Sequence, residues 1–262
     1  MGAASVSSYE HFQQPITIPP MDSDYRKRVY EKYVSAFKGD LSEKANYAFS
    51  DAKLLPILRL WLSSIDRSVP CVDLGCGHGN VLHALQMLGF TNLQGVDASA
   101  EQIACASKMF PTAELGEIRP FLRGAPDAYY GVITLFDVIE HLSKNEILNM
   151  MDLVKRKLRR GGIFIAHCPN GDNPMALGVF ASDFTHMTML NPVSAEAICR
   201  IVGMVRFAAV EHLGTSSGIA GRLRSALWQG IRIGFMVRNI VETGSPGSGI
   251  FTRNFAFKAE VE

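Results

Sequence analysis

The 262 residues carry a formal net charge of +1, with 47% hydrophobic and 19% charged side chains. That balance supplies a full apolar core and excludes global disorder. The lack of a long Lys/Arg run excludes a nucleic-acid binder working through a broad basic face. The length suits one elaborated α/β domain, or one domain with small additions.

The five cysteines, Cys71, Cys76, Cys105, Cys168 and Cys199, are scattered and form no C-x-x-C pair. They read as reduced thiols with no zinc or disulfide framework, which predicts a cytoplasmic protein. Met1 to Gln14 lacks a basic start followed by an apolar core, so no signal peptide is expected. No stretch reaches ~18 uninterrupted apolar residues, so no membrane-spanning helix is expected either.

Met1 to about Ser23 is small, polar and punctuated by Pro15, Pro19 and Pro20, which predicts a tail or surface arm. From Asp24 the stripe Tyr25, Val29, Tyr33 and Phe37 recurs every four residues and predicts a helix. Asp51 to Ser63 predicts a second helix, with Pro56 in its first turns. Residues 1–65 are thus expected to form a tail and helical cap, and 66–262 the main domain.

Cys71 to Cys76 predicts the first strand, and it runs into Asp73-Leu74-Gly75-Cys76-Gly77-His78-Gly79. Glycines there permit positive φ and let a ligand lie against bare backbone, and the following helix offers free N–H donors. A helix to about Leu88 precedes a second strand, Asn92 to Asp97, and Asp97 lies about 20 residues beyond the turn, where a carboxylate meets a ribose diol. Ser99 to Gln102 caps a helix reaching Phe110, and Ala113 to Ile118 predicts the third strand.

Tyr130 to Phe136 is a fourth, apolar strand of the kind buried under helices on both faces. A helix from Asn145 to Arg160 is expected to end at Gly161-Gly162, before a fifth strand, Ile163 to Cys168, and a Pro169-Asn170-Gly171 turn. Ser194 to Val202 predicts a helix, and Val205 to Val210 and Ile250 to Ala259 the last strands. Gly221 to Val241 between them is an apolar-basic insertion (about 214–249 in all), weakened as a helix by Gly230 and Gly234. Alternating strands and helices imply βαβ units and a mainly parallel sheet. Ligands then bind beyond the carboxyl ends of its strands.

The acid before the first glycine decides between nucleotide cofactors. A carboxylate at Asp73 would repel a diphosphate but suits a cationic, amino-acid-bearing ligand. The pattern Asp73-x-Gly75-x-Gly77-x-Gly79 with Asp97 closely resembles the first motifs of class I S-adenosylmethionine-dependent methyltransferases. That resemblance implies a Rossmann-like, seven-stranded, mostly parallel sheet with helices on both faces and an antiparallel last strand. It implies S-adenosyl-L-methionine as cofactor, with Asp73, Gly75, Cys76, Gly77, Asp97, Ala98, Glu117, Ile118 and Phe136 as its binding residues.

The segment Phe136 to Leu142, with Gly161-Gly162 and Pro169-Asn170, is similar to the subgroup holding ubiquinone-biosynthesis and saccharide O-methyltransferases. By that resemblance His141, Glu140 and His186 (in Asp183-Phe184-Thr185-His186) are the candidate catalytic residues. Helix capping and loop pinning are their structural alternatives. No tight ligand spacing is present, so no metal is assigned. The Asn-Pro-Pro-Tyr signature is absent after the fourth strand, where Phe136-Asp137 stands. The expected reaction is therefore O-methylation of a small molecule, sugar or lipid-linked glycan. N- or C-methylation, or a non-catalytic cofactor-binding scaffold, are the rival readings. For residues 222–238 a peripheral membrane contact, a homodimer contact and a cover over an apolar acceptor all remain open.

Overall fold

The computed structural model describes residues 47–213 and 218–262, together with Val29 and Lys32. Tyr25, Tyr30 and Tyr33, candidate contacts of an N-terminal lid, lie outside the described residues. Helix α1 (Tyr47–Leu62) begins earlier than the sequence predicts, so Pro56 falls inside it rather than in its first turns. A proline there has no N–H to offer the carbonyl four residues back, that of Ala52. The helix survives through packing: Leu54, Ile57, Leu58, Trp61 and Leu62 share one apolar cluster with Val81, Leu82 and Leu85 of α2 (Asn80–Met87).

Seven strands follow: β1 (Cys71–Leu74), β2 (Leu93–Asp97), β3 (Ala113–Leu115), β4 (Tyr130–Phe136), β5 (Leu158–Pro169), β6 (Val205–Glu211) and β7 (Asn254–Glu260). They pair in the order β3-β2-β1-β4-β5-β7-β6. The first five run parallel, and β7 lies antiparallel between β5 and β6. This is the expected Rossmann-like sheet with its antiparallel last strand. Alternate residues of one strand serve opposite faces: in β4, Ile133 and Leu135 join one apolar cluster while Val132 and Phe136 join the other. Among the described residues the remaining α-helices are α3 (Ala100–Ala106), α4 (Ile118–Gly124), α5 (Lys144–Lys157), α6 (Ala176–Ala181), α7 (Pro192–Ile201) and α8 (Gly218–Thr243).

Several boundaries differ from the sequence reading, each for a physical reason. β3 stops at Leu115, and Glu117 is the cap residue of α4 rather than a strand residue. Helix α3 stops at Ala106, short of Phe110. The Gly161-Gly162 pair does not end α5, which already stops at Lys157. Instead Gly161 sits in β5 at φ 70°, beside a register shift against β4 between Tyr130 and Val132. A side chain on Gly162 would come within 2.8 Å of the Arg159 carbonyl, so the pair lets the strand bulge.

The insertion is an unbroken 26-residue helix. A Cβ added at Gly230 or Gly234 would meet nothing within 4 Å, so these glycines lower helix propensity without being required by packing. Two hydrogen bonds help to moor α8, beside the ring contact of Phe235 with Phe251. The Trp228 indole N–H donates to Glu211 Oε2 at 3.0 Å, and Arg232 Nε donates to the Gly249 carbonyl at 2.7 Å. Among the described residues no helix is long and apolar enough to cross a membrane.

Candidate active site

The glycine turn after β1 is built by conformations that other residues resist. Gly75, Gly77 and Gly79 lie at φ 76°, 54° and 95°, in the left-handed region. A Cβ on Gly75 would sit 2.4 Å from Val138 Cγ2, because the loop after β4 closes directly over the turn. Asp97 holds the turn's shape: its Oδ2 accepts from Gly77 N and its Oδ1 from Ser99 N, both at 2.8 Å. Tyr47 of α1 reaches the same turn, donating to the His78 carbonyl at 3.0 Å and stacking on His83.

Asp73 is 1% exposed, and the Thr134 hydroxyl donates to its Oδ1 at 2.7 Å. Burial pushes this carboxyl up to about 7; the Thr134 bond opposes the push and nearby Asp97 adds to it. An acid so destabilised in its charged form welcomes a cation. The Cys76 thiol points into the apolar cluster against Gly95, so only its backbone is left to face a ligand. Phe136 ends β4 and stacks on His167, ring centroids 5.5 Å apart. Ala98 and Glu117 are exposed at the ends of β2 and β3, and Ile118 is half-buried against the core. The expected cofactor residues therefore gather along one edge of the sheet.

The catalytic candidates gather as well. Glu140 and His141 lie in a 3₁₀ turn after β4 and are buried. The 183–188 loop is stitched to that turn by the Met187 and Thr188 amides, which donate to the Glu140 carbonyl at 2.7 and 3.0 Å. His186 Nε2 thereby comes to 4.0 Å from Glu140 Oε1. Ligand atoms of Glu140, His141 and His186 all fall within 4.8 Å of one another. Burial drives Glu140 well above the usual carboxylate range, with Asp137 adding to it. Burial, then His186, pushes His141 down to about 4.

Hydrogen bonding fixes which nitrogens carry protons. Thr185 Oγ1 gives its only proton to Asp183 Oδ1 at 2.6 Å, so it must accept from His141 Nδ1 at 2.7 Å. The Phe180 carbonyl can only accept, so His186 Nδ1 donates to it at 2.8 Å. Both imidazoles therefore keep their lone pairs on Nε2, and Glu140 Oε2 is buried without a hydrogen-bond partner. Two imidazoles beside an acidic side chain can take a proton from a substrate or hold a divalent cation.

Sequence reasoning gave no part to Thr134, Thr185, His167 or His212. Thr134 and His167 were signalled as polar residues inside otherwise apolar strands, whereas His212 carries no local signal.

A family model described as a methyltransferase domain matches residues 43–212. No curated protein matches the sequence. Among solved structures, an S-adenosylmethionine-dependent methyltransferase of Archaeoglobus fulgidus superposes with a TM-score of 0.61 at 17% identity, covering 88% of this chain and 99% of that one. A Haloferax volcanii methyltransferase in complex with its Trm112 activator gives 0.59 at 14%, covering 90% and 96%. Haemonchus contortus phosphoethanolamine N-methyltransferase 2, solved with S-adenosylmethionine, gives 0.56 at 14%, covering 89% and 60%. At these identities the superpositions speak for the fold. The family match, spanning α1 to the end of β6, places the chain in the methyltransferase-domain family, as an enzyme that takes its methyl group from S-adenosylmethionine.

Proposed function

We propose that the enzyme methylates a hydroxyl group on a small molecule, sugar or lipid-linked glycan. The observation that supports this most is the Glu140–His141–His186 cluster at the strand edge. A hydroxyl needs its proton removed as it attacks the sulfonium methyl, whereas a neutral amine attacks through a lone pair it already has. His141 Nε2, its tautomer set by Thr185 and Asp183, is the proposed proton acceptor. Asp73, Asp97 and the glycine turn are proposed to hold the cofactor's cationic end and ribose. Residues 222–238 are proposed to cover the acceptor's apolar part, since Trp228 ties that helix to Glu211 at the sheet edge.

The unpartnered Glu140 Oε2 favours a second reading of the same cluster. A divalent cation held by Glu140, His141 and His186 would bind and acidify acceptor hydroxyls. Elemental analysis of the purified protein, with activity before and after chelation, separates the readings. The test of the reaction class is mass spectrometry of host extracts incubated with enzyme and methyl-labelled cofactor. Label recovered on oxygen supports the proposal; label on nitrogen or carbon alone refutes it, and nitrogen is the rival suggested by the Haemonchus neighbour.

A further inference from the structure

A second polar assembly lies along the same strand edge, outside the glycine turn and the Glu140 cluster. Asp137, the first residue past β4, accepts from His167 Nδ1 in β5 at 2.7 Å. His167 Nε2 in turn meets His212 Nδ1 at 2.5 Å. β5 and β6 both run antiparallel to β7, so His212, following the last residue of β6, emerges at the edge where Asp137 stands.

The chain of donors can be followed from one end. The Asp137 carboxylate accepts, so His167 carries a proton on Nδ1. His167 Nε2 then faces His212 Nδ1 as the acceptor, and the donor there is His212 Nδ1–H. That leaves a lone pair on His212 Nε2, which is buried and has no hydrogen-bond partner. Burial is the main cause that pushes His212 down to about 4; His167 and Lys53 of α1 add to it and Asp137 opposes them. The ring is therefore neutral at physiological pH. A buried nitrogen lone pair without a donor is destabilising, and a ligand that brings a proton would satisfy it.

The surroundings suit an acceptor subsite. His167 is stacked on Phe136, at the edge where the cofactor residues gather. Glu211, next to His212, takes the Trp228 indole N–H and the Phe251 amide and lies 4.0 Å from Arg232, so α8 is moored beside this ring. A cation on the Glu140 cluster would occupy the imidazole lone pairs there and leave the acceptor's proton for another base.

We propose that His212 Nε2 is a proton-accepting site for the methyl acceptor, with Asp137 and His167 as residues that position it in that tautomer. The inference rests on the reading of the acceptor as a group that still bears its proton. As the acceptor's heteroatom bonds to the methyl carbon, the carbon–sulfur bond breaks and its electron pair neutralises the sulfonium. With the imidazole lone pairs of the Glu140 cluster engaged, the acceptor's proton passes to His212 Nε2 instead of His141 Nε2, and the resulting imidazolium later releases it to water.

The test uses the full chain, with labelled histidine nitrogens, saturated with S-adenosylhomocysteine. Long-range proton–nitrogen correlation spectra should show His212 protonated on Nδ1 and bare on Nε2; a proton on Nε2 overturns the proposal. With methyl-labelled S-adenosylmethionine and host extract, His212→Gln should lower kcat about 100-fold or more, with calorimetric cofactor binding unchanged. Asp137→Ala should lower kcat and mix the two His212 tautomers, which a merely structural carboxylate would not do. Full turnover in His212→Gln also overturns the proposal. If wild-type enzyme labels nothing in the extract, the acceptor reading fails, and the tautomer spectrum still decides the case of His212.

Discussion

At the scale of single residues, the cofactor edge depends on carboxylates doing two jobs at once. Asp97 holds Gly77 and Ser99 by their amides and is the proposed partner of the ribose diol. Asp97→Ala is expected to cost about 1.5–3 kcal/mol of cofactor affinity, measured by calorimetry. Unchanged affinity would remove Asp97 from the binding set. Asp73 gives the pH dependence. Its carboxyl is raised to about 7 in the fold, well above the ordinary carboxylate value it keeps when unfolded. Protonated in both states below the lower value, it contributes stability there that is lost as pH rises through that window. A bound sulfonium and ammonium favour the charged form, so cofactor affinity should strengthen as pH rises through about 7, with a proton released on binding. Asp73→Asn should flatten both trends, read as melting temperature and as binding heat in buffers of different ionisation enthalpy.

At the scale of elements, the Glu140–His141 turn is held from behind by the start of α5. Ser143 Oγ accepts from the Glu146 amide at 3.4 Å and the Glu146 carboxylate accepts from the Ser143 amide at 2.8 Å. The helix then sinks Ile147, Met150, Met151 and Val154 into the core. Ser143→Ala is expected to cost about 1 kcal/mol by denaturant unfolding, with no change in cofactor affinity. Such elements were legible in the sequence because their signals are local. The apolar run of β4 predicts Tyr130–Phe136 residue for residue, and Asn191 and Ser194 cap α7 where a helix was expected. Legibility failed where context overrides propensity. Pro56 and Gly230 lie inside helices, one sustained by core packing and the other exposed where a glycine is cheap.

At the scale of the molecule, the site exists only because distant segments are brought to one sheet edge. The order β3-β2-β1-β4-β5-β7-β6 sets the ends of β2, β1 and β4 side by side, and the spacing of the proposed cofactor residues already put them on those strand ends. The acceptor side could not. His186 reaches Glu140 through backbone hydrogen bonds of a loop, and His212 reaches His167 across an antiparallel pairing that no spacing rule encodes. Because the cofactor residues come from several elements, binding should stabilise the whole fold. At about 100 times its dissociation constant, S-adenosylmethionine adds about 2.7 kcal/mol. That corresponds to a rise on the order of 5–10 °C in melting temperature for a chain of this size, and a scanning calorimeter would detect it.

Asp137 lies at φ 54°, a left-handed backbone that costs a non-glycine residue about 1–3 kcal/mol. Stability and activity therefore pull this position in opposite directions. Asp137→Gly would relax the backbone and is expected to raise the melting temperature, while stripping His167 of its carboxylate and depressing turnover. A selection for thermostability alone would drift toward that glycine, and only a selection for methyl transfer would keep the aspartate.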